Sequence, residues 1–143
     1  MIGGREGVYI PWSVFSEYNQ IGSYIIQQMV IHALDTLLGG KKSLLTNLPA
    51  QGIVTLQHQV AEKRYIQHSL YASPVLRGKK NTIEVIEDIL PVMNTEFTIT
   101  LNKTVKKVYL APQMDEVSFS QTDGVLRYKV KEFECHQMVV IEY

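Results

Sequence analysis

The chain has one cysteine, one tryptophan and no excess charge of either sign. A single thiol, Cys135, excludes an internal disulfide framework, a CxxC redox pair and a cysteine-rich zinc site. Lys plus Arg and Asp plus Glu both number 14, so no basic field exists to hold a phosphate backbone. The short runs KRY and RGKK are too small to replace one, and nucleic acid is not an expected partner. No apolar run approaches the roughly 18 residues that cross a bilayer, and the start lacks the basic region and apolar core of a signal peptide. The expectation is a soluble chain that engages no membrane, with the cytoplasm preferred over export. Glycine-rich phosphate loops are missing too: GGREG precedes its strand, and LRGKK has no helix after it. No cofactor is expected.

What is present is enough for one folded domain, or for one domain and a fragment of its neighbour, since the chain has 143 residues, 45% of them apolar. The pattern changes once, near residue 40. Residues 19–38, NQIGSYIIQQMVIHALDTLL, place Ile26, Met29, Val30, Ala33 and Leu37 at helical spacing, and the glycines at 39 and 40 end the run. Ile25, Ile31, Leu34 and Leu38 widen the apolar stripe, which therefore calls for packing on more than one side. Before it, GVYIPWS reads as a strand-like segment that a single helix cannot complete into a layered α/β domain.

Beyond residue 40 the period is two. Residues 53–57, 65–72, 82–87, 96–101, 105–110, 116–119, 125–130 and 136–143 read as short strands, with Asp123 and Gly124 as the clearest tight-turn pair. The fold class expected is mainly β: an antiparallel β-sandwich of immunoglobulin-like arrangement, preceded by one α-helix and the strand-like segment. The division expected is residues 1–40, the remnant of an α/β unit, and 41–143, the sandwich.

The stretch IEVIEDILP sets Glu84, Glu87 and Asp88 in an apolar context. If it is extended, Glu84 and Asp88 share a side four residues apart, roughly 13 Å by strand rise, whereas a glycosidase pair spans about 5 to 9 Å. The trio therefore reads as a solvated or interface face, and neither as acid and base nor as a cation site. His58 and His68 could meet across a hairpin, which would give two zinc ligands and no third. His32 is spaced for contact with Asp35, His136 opens the last strand, and Cys135 reads as a buried or inert thiol in an apolar terminal strand. No catalytic residue and no metal ligand is assigned. The interface assigned consists of Trp12, Ile26, Met29, Val30, Ala33 and Leu37.

The order of segments GVYIPWSVFSEYNQIGSYIIQQMVIHALDTLL, TNLPAQGIVTLQHQ, KRYIQHSLYASPV, IEVIEDILPV, KKVYLAPQMDEVSF, DGVLRY and CHQMVVIEY resembles the C-terminal end of bacterial glycoside hydrolases related to the beta-galactosidases that carry a trimerisation domain. The resemblance implies that residues 1–40 end an amidotransferase-like α/β domain and that the remainder is the terminal β-domain. It carries no catalytic residue across, because that family's acid and nucleophile belong to a barrel that no segment here matches. The function expected is a non-catalytic accessory or structural β-domain of a glycoside hydrolase-like protein, with missing domains of a parent or a second copy as partner. The rival is a carbohydrate-binding module that uses exposed aromatic residues.

Overall fold

A computed structural model describes residues 2–4, 7–80 and 82–143. The chain divides into two compact units, Met1–Lys42 and Ser43–Tyr143.

In the first unit, strands β1 (Ile2–Gly4) and β2 (Gly7–Tyr9) form an antiparallel hairpin with Gly3 opposite Val8. Two helices follow, α1 (Val14–Ile21) and α2 (Tyr24–Leu38), where the sequence suggested one. The break is local chemistry. Gly22 takes the left-handed conformation (φ 58°) and its N–H donates to the Tyr18 carbonyl at 2.8 Å, which closes α1. Ser23 is then extended, and the chain restarts as a helix. Gly39 ends α2 in the same way, and Lys42 reaches back to Asp35 at 2.7 Å.

The second unit is the antiparallel sandwich that the alternation predicts. One sheet has the order β10 (Phe119–Thr122), β11 (Val125–Phe133), β8 (Val92–Thr100), β3 (Leu44–Thr46). The other has the order β4 (Ile53–Gln59), β5 (Arg64–Leu70), β12 (His136–Glu142), β9 (Lys107–Ala111). A separate hairpin, β6 (Val75–Arg77) with β7 (Ile83–Val85), projects from the connection between β5 and β8. The strand expected over 82–87 is thus shorter, and β3 and β6 were not expected. Asp123 and Gly124 both have positive φ in the β10–β11 turn, and a Cβ on Gly124 would meet the Leu101 carbonyl oxygen at 3.0 Å.

The inward faces meet in one core. Phe97, Ile99 and Leu101 come from β8 and its end, Leu126, Tyr128, Val130 and Phe133 from β11, and Val139 and Ile141 from β12. Phe97 and Tyr128 are cross-strand partners whose rings stack at 5.2 Å. Each such side chain contributes about 1.5–3 kcal/mol relative to an exposed position. The core also holds a polar chain. The Tyr128 hydroxyl donates across the sandwich to Gln67 Oε1 at 2.8 Å, and Gln67 Nε2 donates to Ser69 Oγ at 2.6 Å. Gln67 and Ser69 are almost fully buried, so these bonds are strong and direction-setting, and tie one sheet's register to the other's.

Candidate functional site

At one end of the second sheet Ile53 of β4, Leu70 of β5 and His136 of β12 are level with one another. There a groove of about 510 Å³ is lined by Gln51, Ile53, Leu70, Tyr71, Glu84 and Cys135, among others. Its floor follows from strand register: Ile53 and Leu70 are opposite one another in β4 and β5, and His136 of β12 is opposite Leu70. Glu84 of β7 brings a carboxylate to its wall.

Cys135 is exposed and lies outside any strand, which corrects the reading of a buried thiol in the last strand. The reason is the two-residue link between β11 and β12. Passing between sheets in so few residues forces Cys135 into positive φ (54°), and its carbonyl accepts the Tyr71 N–H at 2.8 Å.

The acidic trio is dispersed. Only Glu84 is in a strand, because β7 stops at Val85; Glu87 and Asp88 lie in the irregular segment after it. Both nitrogens of the Arg77 fork reach Glu87, at 2.6 to 2.9 Å, and pin that segment to β6. This pair is an exposed clasp worth about 1 kcal/mol or less.

The histidines pair differently from the expected His58–His68 contact. Cross-strand register sets His58 opposite Tyr65 and His68 opposite Thr55, so the two imidazoles are three positions apart along the hairpin. His58 instead stacks on Tyr65 at 4.1 Å, and its Nε2 lies 2.9 Å from the Tyr143 hydroxyl oxygen. His68 meets His136: Nδ1 of the first is 3.0 Å from Nε2 of the second, and the rings are nearly parallel. His32 is exposed on α2, where its carbonyl accepts from Thr36; the carboxylate expected beside it, Asp35, is taken by Lys42. Among the described residues no group of three or more His, Cys, Asp or Glu is placed to hold a metal ion.

Three tyrosines have hydroxyls held neutral beyond their ordinary range. Burial raises Tyr128 strongly. Burial also raises Tyr109, helped by its hydrogen bond to Glu142 at 3.0 Å, and Tyr65, helped by the neighbouring Tyr143. Lys107 is raised by its bond to Glu116 at 2.8 Å.

The assigned interface residues lie on the first unit. Ala33 is buried, Ile26, Met29 and Val30 are half-buried, and Trp12 and Leu37 are exposed. A second stripe of α2, Tyr24, Ile31, Leu34 and Leu38, is exposed, as are Ile25, and Phe15 and Ile21 of α1. On the other unit Leu76, Ile83, Ile86, Ile89 and Leu90 are exposed along the β6–β7 arm. Reading the sequence missed the buried Gln67–Ser69–Tyr128 chain and the His68–His136 contact. Alternation gives a side chain's face, but only knowledge that β5 neighbours β12 could have brought the two histidines together.

No protein-family model matches the chain, and no curated protein does. Among solved structures it is similar to alpha-L-fucosidase isoenzyme 2 from Paenibacillus thiaminolyticus, at 53% sequence identity over 96% of this chain and a TM-score of 0.89. That finding overturns the resemblance to beta-galactosidase-related hydrolases: the glycosidase whose fold and sequence this chain shares is a fucosidase. The chain spans about a fifth, 21%, of the fucosidase chain, so it corresponds to a small part of a larger enzyme.

Proposed function

We propose that this chain is a non-catalytic accessory domain of an alpha-L-fucosidase-type glycoside hydrolase, and that it works by packing against protein. The observation that carries the reading is its apolar surface. Phe15, Ile21, Tyr24, Ile25, Leu34 and Leu38 are all exposed on two short helices, a density that a free surface rarely carries and an interface commonly does. The similarity to one fifth of a longer glycosidase chain supplies a partner of the right kind, the remainder of such an enzyme or a second copy. Several carboxylates have structural partners: Glu87, Glu116 and Glu142 are engaged by Arg77, Lys107 and Tyr109, and Glu84 faces a largely apolar groove.

Light scattering across micromolar concentrations tests the reading. The chain is expected to associate as concentration rises, and a double variant, Ile25→Glu with Leu34→Glu, is expected to stay monomeric. A chain that is monomeric throughout would refute a second copy as the partner and leave the remainder of the enzyme. Aryl α-fucoside turnover by the purified chain that is lost in Glu84→Gln would refute the non-catalytic role.

A further inference from the structure

Strand β11 is longer than its neighbour on one side. β8 pairs with it from Val125 to Phe133, whereas β10 pairs with it only from Val125 to Tyr128. The segment before β10 does not make up the difference. It turns to the other sheet, where the Val117 N–H donates to the Val108 carbonyl at 2.9 Å and Glu116 bridges to Tyr109. Residues 129–133 are therefore a sheet edge, and among the described residues no loop backbone is bonded to them. We propose that this edge receives an extended acidic peptide, added to β11 as a further strand, in which carboxylates alternate with apolar side chains. The inference is independent of the exposed helical face.

The space beside the edge suits such a strand. A groove of about 380 Å³ separates the edge from the departing segment, with Leu110 and Val117 on one wall and Lys129, Val130 and Lys131 on the other. A second groove, of about 360 Å³, shares Ser118 and Lys129 with the first and reaches Arg127. Val130 is 2% exposed and belongs to the core, while Arg127, Lys129 and Lys131 are exposed at alternate positions. A strand laid beside them alternates too. One set of its side chains meets Val130, Leu110 and Val117, and the other meets cations.

Charge then selects the partner. Arg127 and Lys131 form no ion pair among the described residues, and Lys129 is 4.0 Å from Glu96. Of the other carboxylates along this stretch, Glu116 is held by Lys107 at 2.8 Å and Glu132 is exposed beside Lys131. Lysines on an edge oppose pairing with neutral or basic strands, because each must stay solvated or meet a carboxylate. An acidic strand supplies that carboxylate. The open backbone favours a peptide over an acidic glycan, since a peptide presents N–H and C=O groups at the spacing of the ladder.

The test is a titration of the chain into a short fluorescein-labelled peptide in which Glu and Val alternate, read by fluorescence anisotropy. Saturable binding is expected, and it is expected to weaken by roughly tenfold in a Lys129→Ala, Lys131→Ala double variant, as the loss of two modest ion pairs implies. The same peptide with Lys in place of Glu, or with alternate backbone nitrogens methylated, is expected not to bind at the same concentrations. The Ile25→Glu, Leu34→Glu variant is expected to bind as the parent does, which separates this edge from the helical face. Far-ultraviolet circular dichroism checks that each variant keeps its strands. Absence of saturable binding by the parent would overturn the proposal, as would undiminished binding of the methylated peptide or by the double-lysine variant. An acidic oligosaccharide that binds through Lys129 and Lys131 where the peptide does not would overturn strand addition in favour of a glycan.

Discussion

The two units use the same kinds of side chain to opposite effect. In the sandwich, Phe97, Ile99, Leu126 and Ile141 are no more than 1% exposed; in the helical segment, Ile25 is 78% and Phe15 72% exposed. Composition does not make the difference. A β-strand with period two sends alternate residues inward, and two four-stranded sheets face to face give every inward residue a partner layer. A helix rich in apolar residues around most of its circumference needs neighbours on several sides. The contrast is between a region whose apolar side chains are covered within the chain and one whose apolar side chains stay exposed in it.

The sharpest way to break that contrast is inside the sandwich. Phe97→Ala removes a fully buried ring from the stack on Tyr128 and is expected to destabilise the domain by about 3–5 kcal/mol, read as a lower urea midpoint. That is a large share of a domain's usual 5–15 kcal/mol, on the order given for natural proteins. An unchanged midpoint would mean that the core is elsewhere.

The buried polar chain gives the next effect. Tyr128→Phe leaves Gln67 Oε1 without its donor and should cost about 1–3 kcal/mol near neutrality. The same variant has a signature in alkali. The folded state holds the Tyr128 proton above the ordinary value of 10.0, whereas the unfolded chain releases it there. Stability is therefore fully present below that value and is lost as pH rises past it, at about 1.4 kcal/mol per pH unit for this one group. Tyr109 and Tyr65 are raised too and add to the loss. Denaturation midpoints measured between neutrality and strong alkali should fall less steeply for Tyr128→Phe than for the parent. Parallel curves would contradict the buried neutral hydroxyl.

On the helical segment the order of effects reverses. Ile25→Asn should change stability by no more than about 0.5 kcal/mol, because little apolar area leaves or enters water, while weakening association in sedimentation velocity. A stability loss comparable to that of Phe97→Ala would show that Ile25 is packed within the monomer. Arg77→Ala is also a small change: it opens the exposed clasp to Glu87 and should cost about 1 kcal/mol or less in thermal unfolding.

Most of the sandwich was legible in the sequence because alternation encodes it directly. Phe97, Ile99 and Leu101, and Leu126, Tyr128 and Val130, point inward as their spacing indicates, and the Asp123–Gly124 turn lies where its backbone tolerance suggests. Less legible were features set by a single residue or by strand neighbours. Gly22 splits the helix although the apolar spacing runs through it, since left-handed backbone is a local choice that periodicity does not register. Leu44–Thr46 is too short for alternation to show, and its place beside β8 comes from pairing. Cys135 was read as part of a strand because the apolar run conceals a tight link. The site was harder still, because His68 and His136 are 68 residues apart and only the order β5–β12 joins them.

Native-state hydrogen exchange, followed by mass spectrometry at two protein concentrations, tests most directly whether the helical segment depends on an outside partner. The account predicts strong protection of β5, β8, β11 and β12 that is independent of concentration, and weaker protection of Tyr24–Leu38 that rises with concentration as its apolar face is covered. Protection of Tyr24–Leu38 equal to that of the central strands and unchanged by concentration would contradict it.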